Sequence, residues 1–198
     1  MKTLPLLIAF CCIIRVYGQE TILYPALKKQ VDSLALLDKI AGHNNMTGFG
    51  GNRDSLNKVF RQVTVSNTRI IKGIFEKYGF LSYKMVGKEA SNSFWLMVQH
   101  ADNDLPFQEA VLKKMKLQVD QKNADGANFA YLADRVNINS GRPQIYGTQL
   151  SRAKDANGRP IPKDIIDPEN VNKRRQEVGL EPLEKYLDFV KEATTKHN

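Results

Sequence analysis

Apolar residues recur three or four positions apart along most of this chain, the period of helices that turn one face to a core. Over residues 22–40, Leu23, Leu27, Val31, Leu34, Leu37 and Ile40 keep that spacing. Residues 42–52 then hold four Gly and three Asn, which predicts a surface loop with His43 exposed in it. Asp54 or Ser55 is placed to cap a second helix carrying Leu56, Val59, Phe60 and Val63. The β-branched residues within 63–68 predict a loosening or break there. Helix resumes over 69–78 on Ile70, Ile71, Ile74 and Phe75, with Gly79 as its C-cap.

Residues 80–85 read as a short apolar link, and Gly87 precedes a helix from Ser91 to about Ala101. Five large apolar residues in a row, Phe94 to Val98, mark the end of that helix as buried. Asp104 is a natural N-cap for the next helix, where Pro106 is tolerated in the first turn and Phe107, Val111, Met115 and Val119 fall four apart. Residues 123–126 form a turn, and Phe129, Leu132, Ala133 and Val136 mark another helix.

The period changes after Gly141. Residues 142–150 alternate and favour β structure, Asn157-Gly158 is a turn signal, and residues 159–161 predict a short return strand confined to an edge by Pro160 and Pro162. Helical spacing returns after Asp167-Pro168, a cap followed by proline at the first position, with Val171, Arg174, Arg175 and Val178. A last helix follows Pro182 with Leu183, Tyr186, Leu187 and Val190. The expected fold is mainly α: a single helical domain with a small β-hairpin near residues 142–162.

The first eighteen residues stand apart. Lys2 precedes an apolar run of eleven residues from Leu4 to Ile14, and Val16 and Gly18 suit the −3 and −1 sites of signal-peptidase cleavage. The run is far shorter than the ~20 residues needed to span a bilayer. The expectation is a signal peptide over 1–18, an N-terminal helical segment over 19–62, and a helical domain with inserted hairpin over 63–198, in an exported (periplasmic or secreted) protein without a transmembrane segment after leader removal. Cys11 and Cys12, the two cysteines, both lie in the run, where Phe10 or Cys11 as the preceding residue disfavours lipid attachment. Losing the leader leaves no cysteine, which excludes disulfides, thiolate catalysis and Cys-ligated zinc.

Lys2 and Arg15 leave with the leader and no acid does, so the formal charge falls from +8 to +6. The surplus is spread over Lys28-Lys29, Lys113-Lys114-Lys116 and Lys173-Arg174-Arg175, as on solvated helix faces. It also suits attraction to an anionic ligand. Nucleic acid is disfavoured, because no basic strand interleaved with aromatics accompanies the charge.

Candidate chemistry centres on the end of the Phe94–Val98 run, where Gln99, His100, Asp102 and Asp104 crowd a helix terminus. His100 is either a histidine favoured by the helix dipole or a general acid–base whose ring Asp102 or Asp134 orients. Tyr131 and Arg135 share a helical face; Arg135 either makes a structural ion pair or offers its planar fork to a carboxylate-bearing ligand. On a strand, Gln144, Tyr146 and Thr148 would form a polar row, as a solvent face or as the wall of a pocket, with Gly147 allowing close backbone approach. No metal-binding spacing, Walker loop, dinucleotide glycine pattern or serine-nucleophile motif is present, so no metal is indicated and the cofactor is unknown.

These residues resemble a widespread bacterial family of unknown function. The resemblance rests on Trp95, Gln99-His100-Ala101-Asp102 and Phe107-Gln108, then Tyr131-Leu132-Ala133-Asp134-Arg135, then Gly141 with Gln144-Ile145-Tyr146-Gly147-Thr148-Gln149. A tail follows with Asp167-Pro168, Val171, Arg174-Arg175, Gly179-Leu180, Pro182-Leu183 and Tyr186. It covers roughly residues 63–186, and residues 20–62 fit it poorly. It implies that Gln99, His100, Asp102, Gln108, Asp134, Arg135, Gln144, Tyr146 and Gln149 belong together, but it carries no reaction, cofactor or partner. Two functions compete. One is a polar pocket that binds, and hydrolyses, a small polar or anionic compound, with His100, Asp102 and Asp134 catalytic and Gln99, Gln108, Arg135, Gln144, Tyr146 and Gln149 binding. The other is a non-enzymatic scaffold or interaction module whose motif residues form a structural polar network.

Overall fold

The architecture comes from a computed structural model, which describes residues 22–195. Five helices build the body: α1 (Pro25–Thr47), α2 (Arg53–Tyr78), α3 (Tyr83–His100), α4 (Leu105–Asp120) and α5 (Gly126–Asn139). A two-stranded antiparallel hairpin follows, β1 (Leu150–Lys154) and β2 (Pro160–Pro162), then a 3₁₀ turn (Pro168–Asn170) leading into α6 (Val171–Glu177) and finally α7 (Leu183–Thr195). The expected mainly helical domain with a small hairpin is what forms. The proposed leader lies outside the described residues.

Helix α3 is the centre of the body and packs against α1, α2, α4 and α5. Val86, Ala90, Phe94, Met97 and Val98, spaced at three and four, are all buried. Burying a side chain such as Phe94 completely is worth about 1.5–3 kcal/mol relative to leaving it exposed. Gly87 interrupts the helix at φ 79, so its first turn is a separate piece from the long run to His100. Asp104 and Asp125 cap α4 and α5 by accepting from the backbone N–H of Phe107 and Asn128, which satisfies donors no helical carbonyl can reach.

The first two helices depart from the sequence reading in three ways. Helix α1 does not stop at Gly42 but runs on to Thr47, ending at Gly48 in the left-handed conformation, so the Gly/Asn loop shrinks to a few residues. Its buried face is Leu27, Val31, Ala35, Asp38 and Ala41, while Leu37 and Ile40 face outward. Small residues let α2 approach on that side: a Cβ at Gly42 would sit 3.4 Å from the Phe60 ring. Helix α2 is continuous through residues 63–68, because Thr64, Asn67 and Thr68 are buried against α1. The Asn67 amide donates to the Leu34 carbonyl and the Thr68 hydroxyl to the Thr64 carbonyl, so tertiary packing overrides β-branched propensity.

The strand expected over 142–150 is also displaced. Strand β1 begins only at Leu150, and residues 142–149 form an irregular loop joined to the chain ahead by a single bridge between Gln144 and Ile165. The backbone N–H groups of Ile145, Tyr146, Thr148 and Gln149 are taken by side chains instead of a ladder. Nearly all buried apolar side chains lie between Leu27 and Val136; beyond them Val171 stands alone. The last third is fastened to the body chiefly by polar contacts.

Candidate functional site

The motif residues separate into three groups, around Asp134, Asp102 and His100. The first is built on Asp134, which α5 presents fully buried. Its Oδ1 accepts from the N–H groups of Ile145 (2.7 Å) and Tyr146 (3.0 Å), and its Oδ2 from the Thr148 N–H and hydroxyl, both at 2.9 Å. One carboxylate therefore dictates the course of the loop. Gln144, also fully buried, closes it: its amide donates to the carbonyls of Gln149 and Lys163, and its oxygen accepts from the Gln149 N–H. Gly147 sits at φ 74, which a side chain would strain, and a Cβ there would meet Ile165 and Leu183 at 3.0 Å.

Two arginines of α6 complete this centre. Arg174 donates to the Ile145 carbonyl at 2.9 Å, and Arg175, almost wholly buried, donates to the carbonyls of Tyr146 (2.7 Å) and Glu181 (2.6 Å). Arg175 also stacks over the Tyr186 ring, which in turn meets Tyr131 edge-on. Burial, with Tyr131 alongside, pushes the Tyr186 hydroxyl's pKa up, and burial beside Asp134 does the same to Tyr146. All these donors and acceptors serve one another.

Beside it, Asp102 receives the Arg135 fork, with Nε at 2.6 Å, and further bonds from Asn139 (3.1 Å) and Gln108 (3.4 Å). Burial raises the Asp102 pKa, but the Arg135 hydrogen bond and charge, aided by Asn139 and Gln108, bring it below the ordinary value. Gln108 chiefly serves the end of α3, donating to the Val98 carbonyl at 3.0 Å. Gln99 is buried beside it.

His100 belongs to neither of these two groups. Its Nδ1 faces Oδ2 of Asp38 at 2.8 Å, so Asp38 on α1 orients the ring, not Asp102 or Asp134. Asp102 is turned to Arg135, and Asp134 to the 145–148 loop. The Phe60 ring meets the imidazole edge-on with centroids 5.4 Å apart. Asp38 is 1% exposed and its Oδ1 has no hydrogen-bond partner among the described residues. The dyad lies on the wall of an open cavity of about 600 Å³ between α1, α2 and the end of α3, which Lys39, Gly42, His43, Asn45, Arg53 and Phe60 also line. A carboxylate facing Nδ1 favours the Nδ1–H tautomer, which places the ring lone pair on Nε2.

Asp38 is the site residue absent from the sequence reading. It occupies the same helical stripe as Leu27, Val31, Ala35 and Ala41, where a carboxylate is costly unless it has work or a partner. No cluster of three or more His, Cys, Asp or Glu side chains among the described residues is arranged to hold a metal ion.

This geometry can be set beside known proteins, because a family of unknown function, DUF6624, matches residues 28–197. The chain belongs to DUF6624. The DUF6624 match extends well before residue 63, so Asp38 on α1 and Phe60 on α2 lie within it. No curated protein and no solved structure matches the chain.

Proposed function

We propose that this DUF6624 protein binds a small anionic compound in the cavity between α1, α2 and α3, and that His100 exchanges a proton with it. The observation that carries the reading is the Asp38–His100 pair, a buried carboxylate holding an imidazole at 2.8 Å on the wall of an open cavity. An ionised Asp38 fixes the Nδ1–H tautomer and stabilises the imidazolium formed when Nε2 accepts a proton from a bound hydroxyl or water. Lys39 and Arg53 supply positive charge at the rim, and neither makes an ion pair among the described residues.

The remaining motif residues support a structural role in this reading. Asp134, Gln144 and Arg175 spend polar atoms on backbone groups of the 144–149 loop, Thr148 donates its hydroxyl to Asp134, and Asp102 and Arg135 bond each other. The scaffold reading therefore describes that half of the motif, and the pocket reading the His100 half. Export with removal of residues 1–18 is part of the proposal; it rests on the charged, apolar and small-residue pattern of that segment, and the mass of the mature protein checks it.

The test is a titration of the His100 ring by ¹H–¹⁵N NMR with acetate and with inorganic phosphate at matched ionic strength. Saturable movement of the His100 signals, reduced in Arg53→Gln, supports binding here. Absence of saturable movement with both anions would overturn it.

A further inference from the structure

Two buried oxygen atoms without a hydrogen-bond partner, Asp38 Oδ1 and Asn45 Oδ1, belong to side chains lining the same cavity. They come from one helix, α1. A buried acceptor left unpaired is costly, and a buried carboxylate oxygen more so. Asp38 spends its other oxygen on His100, so Oδ1 is the lobe still requiring a donor. Nothing on α2 or α3 meets it among the described residues: Phe60 and Leu96 are apolar, and Arg53 is engaged with the Asn45 carbonyl.

Acceptors on the wall and cations at the rim call for opposite things from a ligand. Lys39 and Arg53 want an anionic group, and Asp38 Oδ1 and Asn45 Oδ1 want an N–H or O–H donor. A simple anion such as acetate satisfies only the first. We infer that the cavity is built for a small anion that also carries a hydrogen-bond donor, the chemistry shared by hydroxy acids and amino acids, with the donor directed to Asp38 Oδ1 and the anionic group to Arg53 and Lys39. This rests on the pocket reading above and narrows its ligand class. The donor also brings a proton-bearing group beside His100.

Propionate, lactate and alanine test it, because they share a carboxylate and a three-carbon frame. They differ only in bearing no donor, a hydroxyl or an ammonium. Dissociation constants are taken from the His100 ring signals. Lactate or alanine should bind about tenfold or more tightly than propionate, the scale of one charge-assisted hydrogen bond. The tighter of the two identifies the donor as O–H or N–H. Arg53→Gln, at an exposed position, should weaken all three by similar factors, and Asp38→Asn should narrow the gap between them. Equal binding of all three overturns the donor inference and leaves the anion pocket standing. Failure of all three to move His100 overturns both. The wild-type comparison decides the matter even if Asp38→Asn does not fold.

Discussion

His100 and Asp38 stand 62 positions apart in the chain, yet Nδ1 and Oδ2 meet at 2.8 Å, and that bond joins the end of α3 to α1. A buried carboxylate beneath a partly exposed imidazole determines which ring nitrogen bears the proton. We expect the wild-type ring to be the Nδ1–H tautomer when neutral, and Asp38→Asn to shift it toward Nε2–H, as read from ¹⁵N ring shifts. His100→Ala should cost about 1–3 kcal/mol in urea unfolding, because it strips Asp38 of its remaining partner. An unchanged tautomer in Asp38→Asn would remove Asp38 from the role of orienter.

Asp134 makes a different prediction. Four donors converge on its two oxygens, so Asp134→Asn replaces one acceptor oxygen by an amide that faces N–H groups. The expected loss is about 2–3 kcal/mol, accompanied by faster proteolysis within residues 144–149. Asp102→Asn, at a half-exposed ion pair, should cost under about 1 kcal/mol. The reverse ranking would mean that the loop is not held from α5.

The carboxylates at the start of α4 give a pH dependence. Asp104, through its bond to Lys72, and Asp102, through Arg135 acting against burial, both have pKa values below the ordinary carboxylate. A folded-state pKa below the unfolded one stabilises the protein fully above the unfolded value, about 4. That stability is lost as pH falls through the lower folded values. Arg135→Gln should therefore lower Tm at pH 7 and differ progressively less from wild type as pH drops below about 4. A gap that persists at pH 2 would refute the linkage.

Gly126 opens α5 directly beneath the end of α6. A Cβ there would come within 2.8 Å of the Val178 carbonyl oxygen, a backbone atom that cannot rotate aside. Gly126→Ala should cost about 1–3 kcal/mol by overpacking, with amide shifts concentrated in residues 171–180. Gly73→Ala, where a Cβ meets nothing, is the matched control and should be neutral or stabilising on the solvent-facing helix.

The helices were legible because their caps and apolar spacing agree: Asp104, Gly79 and the Phe107–Val111–Met115 row all act as read. Residues 142–149 alternate like a strand but do not form one, because alternation is blind to a carboxylate elsewhere in the chain. Asp134 collects N–H groups that a ladder would otherwise use. The break expected at 63–68 failed for a related reason, since Thr64, Asn67 and Thr68 are buried where α2 packs on α1, and Asn67 donates to the Leu34 carbonyl there. His100 was identifiable as a suspicious residue at a helix end. Its partner was not, because Asp38 lies in a segment whose apolar face was assigned one step around the helix, on Leu34, Leu37 and Ile40 instead of Ala35, Asp38 and Ala41.

The scarcity of buried apolar side chains after Val136 divides the molecule by heat capacity as well as by position. Exposing the body on unfolding uncovers hydrocarbon and raises the heat capacity, whereas releasing the loop and tail uncovers mostly peptide and guanidinium groups, which lower it. The two parts then respond oppositely to cooling: the body loses driving force toward low temperature while the arginine and carboxylate fastenings do not. Cooling should therefore weaken the body's packing more than the tail's fastenings.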